Sequence, residues 1–106
     1  MFLYVICESE NSSSVKIGIS SNPDRRVKQL QTGHESKLCV FHRETVDPAK
    51  AKPLETLVHR ALSHKKIRGE WFDLSPHDAI LEIKHTIIRY GDIEDLDVLV
   101  RNRSLI

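Results

Sequence analysis

The sequence predicts an α+β fold, a small antiparallel three-stranded sheet flanked by helices in the order β-β-α-β-α-(β)-α. Two runs rich in β-branched and aromatic residues, Phe2 to Cys7 and Val15 to Ser20, are separated only by a polar stretch of hairpin-loop length. Leu54, Leu57, Val58, Ala61 and Leu62 recur at i, i+3, i+4, i+7 and i+8, the stripe of a helix that faces a core. At 106 residues the chain has the length of one such core and not of two.

Each element follows from local chemistry. The first two runs read as antiparallel strands around Glu8 to Ser14. Ser21 or Asn22 then offers an N-cap, Pro23 a first-turn proline and Asp24 an acid at the positive end of the dipole, so a helix is predicted from about Pro23 to Gln31 and Gly33 ends it. Leu38 to His42 gives a third strand. Asp47 and Pro48 look like another helix start, but Pro53 removes a backbone donor and is expected to kink the chain there, leaving Leu54 to Ser63 as the well-formed part. Trp71 to Leu74 reads as extended chain or a strand end, with Trp71 and Phe72 closing the core rather than stacking on bases. Ser75 and Pro76 open a third helix on which Ile80, Ile83 and Ile87 share a face, and Gly91 closes it. Residues 1–91 are taken as the domain and residues 92–106 as an extension, which can add an edge strand, pack as a short helix or mediate self-association, a homodimer among the outcomes.

Composition excludes several classes. Hydrophobic residues make up 40% and charged residues 29%, too apolar for a disordered chain. The longest apolar runs are too short to span a bilayer, the start lacks the pattern of a secretory signal, and a cytoplasmic location without membrane contact is expected. Cys7 and Cys39 are accordingly read as reduced, buried thiols. Four scattered glycines form no phosphate-cradling loop, so no nucleotide cofactor is expected, and the histidines and cysteines lack zinc-ligand spacing. Net charge is only +1, yet residues 1–74 carry +3 and residues 75–106 carry −2. Between Thr56 and Gly69 no acid occurs, while Arg60, Lys65, Lys66 and Arg68 do, which makes this segment, with Arg25, the candidate surface for a DNA backbone.

Hydrolysis of a phosphodiester needs an activated water, neutralisation of phosphoryl charge and help for the departing oxygen. Glu55 offers a hard oxygen ligand for Mg²⁺ or Mn²⁺, Arg26 a permanent fork of donors, and Tyr4 a phenol that can act as general base if the Lys16 ammonium lowers its pKa. His59, one turn from Glu55, can orient water or donate a proton. Taken singly, these are a core tyrosine, a solvent-facing lysine, a charged helix face and a surface pair, and Glu70 reads as the end of a loop with a second acidic contribution as the alternative.

Taken in order, they resemble the GIY-YIG nuclease superfamily. Phe2-Leu3-Tyr4 occupies the place of the first tripeptide and keeps its tyrosine, and Lys16-Ile17-Gly18 occupies that of the second and keeps its glycine. The run from Lys16 to Leu30, then Leu54 to His59 and Gly69-Glu70-Trp71-Phe72, is similar to the compact phage and bacterial branch, with lysine in place of the second tyrosine. The likeness spans roughly residues 2 to 74. It implies a metal-dependent DNA endonuclease with Tyr4, Lys16, Arg26, Glu55 and His59 as catalytic residues and Glu55 as metal ligand. Two other classes fit the same chain: a catalytically inactive DNA-binding module on this fold, and a protein-binding adaptor or inhibitor using the acidic C-terminal segment.

Overall fold

Leu3 to Cys7 are all buried because both faces of the strand that contains them are covered. A computed structural model, which describes residues 1–102, makes this strand, β1 (Phe2–Cys7), the middle of the sheet. It pairs antiparallel with β2 (Val15–Ser20) and with β3 (Cys39–Thr45). Two short strands, β4 (Lys66–Arg68) and β5 (Trp71–Phe72), extend the sheet beyond β2, giving the order β3-β1-β2-β5-β4. The sheet is therefore five-stranded where three strands were expected. A three-residue and a two-residue strand carry too few residues for an alternating pattern to show.

The helices are α1 (Pro23–Gln31), α2 (Pro48–Ala61), α3 (Pro76–Tyr90) and α4 (Leu96–Arg101). On one face of the sheet Leu3, Val5, Val15, Ile17 and Phe72 pack against Leu54, Leu57 and Val58 of α2, Ala79 and Ile83 of α3, and Leu96 and Val100 of α4. On the other face Tyr4, Ile6 and Leu38 meet Val27 and Leu30 of α1, with Val40 and Trp71 beside them. Asn22 caps α1 by accepting from the Arg25 N–H at 3.1 Å, and Ser75 caps α3 by accepting from that of Asp78 at 3.1 Å, as predicted.

Two expectations about these elements are corrected. Helix α2 begins at Pro48 and runs unbroken through Pro53. Asp47 caps its start by accepting from the Ala49 N–H at 2.9 Å. Ala51, Pro53 and Leu54 are buried along it, so packing outweighs a proline cost of about 3 kcal/mol. Cys7 is buried as expected, but Cys39, opposite it on the edge strand β3, is exposed, and both are free thiols. The first part of the C-terminal extension forms α4 on the core, and residues 103–106 lie outside the described residues. Among the described residues no helix is long and apolar enough to cross a membrane.

Candidate active site

The site forms where the ladder between β2 and β5 stops. These strands pair only at Val15 with Phe72 and Lys16 with Trp71. The backbone groups of Ile17 must find other partners. Its N–H donates to the carbonyl of Glu70 at 3.1 Å, and its carbonyl accepts from His59 Nε2 at 2.8 Å. A carbonyl only accepts, so Nε2 carries the proton, and it is Nδ1 whose lone pair the neutral ring offers to a ligand. The His59 ring also rests against Phe72, centroids 5.0 Å apart.

Four residues before His59 on the same helix, Glu55 is only 2% exposed. Its Oε1 accepts from Lys52 Nζ at 2.8 Å. Glu70 arrives from the opposite side, just after Gly69, whose φ of +53° makes the turn between β4 and β5. Its Oε1 pairs with Lys16 Nζ at 3.2 Å, and Lys16 is itself buried rather than solvent-facing. One ligand atom each from Glu55, His59 and Glu70 lies within 4.8 Å of the others. Two ligands of one Mg²⁺ or Mn²⁺ stand at most about 4.2 Å apart, twice a bond of about 2.1 Å, so small side-chain rotations bring this set onto a cation. Two carboxylates and an imidazole, one carboxylate deeply buried, are a donor set that fits a divalent ion.

Tyr4 completes the cluster. It stands opposite Gly18 in the β1–β2 register, and its phenol lies over that glycine. Any Cβ at position 18 would collide with the phenol and come 3.1 Å from Glu70 Oε1. Burial raises the phenol's pKa above its ordinary value; a hydrogen bond from Arg26 of α1 opposes the rise, and the charges of Glu70 and Glu55 add to it. The expectation that Lys16 lowers this pKa is thus corrected. The cation that acts on the phenol is Arg26, while Lys16 is engaged by Glu70.

The T5orf172 domain matches residues 1–87, which run from β1 through most of α3 and include every residue of this cluster. The chain belongs to the T5orf172 domain family. T5orf172 domains are associated with nuclease-like and DNA-binding functions. No curated protein and no solved structure matches the chain.

In this T5orf172 domain the fold brings together Tyr4, Lys16, Arg26, Glu55 and His59, all named from sequence. Glu70, read in the sequence as a loop end with a second acidic contribution as the alternative, joins them, brought to the end of β2 by its place before Trp71 and Phe72. The basic candidates are more scattered. Arg25 is exposed on α1, and Lys65, Lys66 and Arg68 are exposed around β4. Arg60 is half-buried and lines a cavity between α2 and α3 with Glu82, His85 and Arg89, while Arg68 lines a different cavity with Trp71.

Proposed function

We propose that the chain is a metal-dependent DNA endonuclease that hydrolyses phosphodiester bonds by a GIY-YIG-type mechanism. The observation that carries this reading is the convergence of Glu55, His59 and Glu70 beside the Tyr4 phenol and the Arg26 guanidinium. Glu55, His59 and Glu70 would hold Mg²⁺ or Mn²⁺, which when bound supplies a Lewis acid for the phosphoryl group. Arg26 binds the phosphoryl oxygens and neutralises the charge that grows on them. Tyr4, as phenolate, takes the proton of the attacking water while that oxygen forms the new bond to phosphorus and the bond to the departing 3′-oxygen breaks, the 3′-oxygen keeping the bonding pair and taking a proton from solvent. Lys16 holds Glu70 in place, and the bond from His59 to the Ile17 carbonyl fixes the imidazole. Exposed Arg25, Lys65, Lys66 and Arg68 track the flanking phosphates. Free Cys7 and Cys39 accord with a cytoplasmic setting.

The test is cleavage of plasmid DNA with Mg²⁺ or Mn²⁺ and with chelator. Wild type cuts only with the ion. Glu55→Gln keeps shape but loses charge, and slows cutting by about a hundredfold or more, the several kcal/mol expected of a lost metal anchor. Salt-dependent DNA binding with no cutting under any ion would mark a DNA-binding module instead, and equal cutting by Glu55→Gln would displace the site.

A further inference from the structure

Beside the cluster, on the α1 face of the sheet, lies a cavity of about 340 Å³ lined by Leu30, Gly33, His34, Leu38, Arg68 and Trp71, with Glu8 and Ser14 at its edge. Its volume is at the small end of the range of about 300–1,000 Å³ for small-molecule sites, the size for one planar group rather than a helix. The rings of His34 and Trp71 stand 5.7 Å apart and tilted by 49°, so a third ring that lies against one meets the other at that tilt. His34 Nε2 is buried without a hydrogen-bond partner, and Glu8 Oε1, at 4.0 Å, is too far to provide one. A buried nitrogen of this kind is expected to be satisfied, and a ligand is one way to satisfy it. At Gly33 nothing lies within 4 Å of where a Cβ would stand, which leaves that wall open.

The cavity is joined to the hydrolytic cluster through Lys16. Its Nζ is 3.2 Å from Glu70 Oε1 and 5.9 Å from the centre of the Trp71 ring. Trp71 faces Lys16 in the sheet, and Gly18, under the Tyr4 phenol, is two residues further along the same strand, about 7 Å away. The sugar and phosphate of one nucleotide can span that step. Exposed Lys66 and Arg68 lie on the strand next to Trp71 and give the cavity mouth the charge of a phosphate-binding surface.

From this juxtaposition we infer that the Trp71 and His34 cavity takes one unpaired base of a DNA strand whose neighbouring phosphate sits at Glu55, His59 and Glu70, an inference that rests on the phosphodiester reading above. The base stacks on an aromatic wall, Arg68 and Ser14 offer hydrogen bonds to its edge, and a turn of the His34 ring toward the cavity brings its unpartnered Nε2 to the same edge. A substrate with unpaired or easily opened bases is then preferred over a uniform duplex.

Trp71 is the chain's only tryptophan, so its fluorescence reports the cavity directly. A short single-stranded DNA is titrated in chelator at fixed salt, beside the same strand carrying abasic sites throughout. The base-bearing strand is expected to quench Trp71 and to bind roughly 5- to 150-fold more tightly, the range for one stacked base. His34→Ala, a change at a half-exposed side chain, is expected to erase most of that difference. Equal binding and equal quenching by the two strands, or full discrimination retained by His34→Ala, overturns the base site. Discrimination intact in a protein that cuts no plasmid under any ion keeps the base site and overturns the hydrolytic reading.

Discussion

The phenol of Tyr4 sits in a place that disfavours its own ionisation, and this has measurable consequences. Because folding raises its pKa above the ordinary value near 10, the neutral phenol favours the fold below about pH 10, and that contribution is lost as pH climbs through the higher folded value. For catalysis the sign is opposite. If the phenolate is the base, its fraction grows tenfold per pH unit below its pKa, so log rate against pH rises with a slope of about 1 between roughly pH 7 and 9. Tyr4→Phe is expected to remove both the rate and the slope, and a flat wild-type profile would set Tyr4 aside as base. Five residues of this cluster were named from the sequence because their order along the strands and helices resembles that of the GIY-YIG superfamily; taken singly, each reads as an ordinary core or surface residue. Glu70 was legible only as an alternative, since nothing local distinguishes an acid that ends a loop from one delivered by a turn to the end of a strand. The bond from His59 to the Ile17 carbonyl was not legible, because side-chain capture of a backbone group leaves no pattern.

Among the elements, α2 carries two of the three candidate metal ligands, with Glu55 and His59 on one side and Leu54, Leu57 and Val58 in the core. Its start depends on Asp47, so Asp47→Ala is expected to cost about 1 kcal/mol, seen as a fall of roughly 4–8 °C in Tm. An unchanged Tm would mean that packing around Pro53 alone sets the start. The unbroken passage through Pro53 was hidden from the sequence because intrinsic preference speaks against it and only tertiary burial speaks for it. Helix α1 is fastened differently. Arg43 of β3 donates to both carboxylate oxygens of Asp24, at 3.2 and 2.6 Å, tying the start of α1 to the edge of the sheet. That tie runs from one residue to another nineteen positions away, beyond the reach of any periodicity argument.

At the scale of the whole molecule the sequence left the region after Gly91 undecided among a strand, a helix and a surface for association. Charged residues alternate there with a short aliphatic run, and six residues give too little of a helical period to decide. We propose that residues 92–102 belong to the same folding unit as the rest. Leu96 and Val100 are 1% and 7% exposed against the shared core. Each is worth about 1.5–3 kcal/mol, a large share of a stability of about 5–15 kcal/mol. A chain ending at Gly91 is expected to unfold at markedly lower urea concentration than the full one, and an equal midpoint would make the extension a separate unit.

The outermost strand β4 has one more consequence. A sheet that is not closed presents unpaired N–H and carbonyl groups along its two rims, and such rims invite the rim of another molecule. On this side the rim is only three residues long, and Lys66 and Arg68 project from it into water. Two copies approaching along β4 would bring like charges together before any backbone pair formed, so the cations that we propose track a phosphate chain would also oppose the joining of β4 to a second β4 into a continuous ribbon.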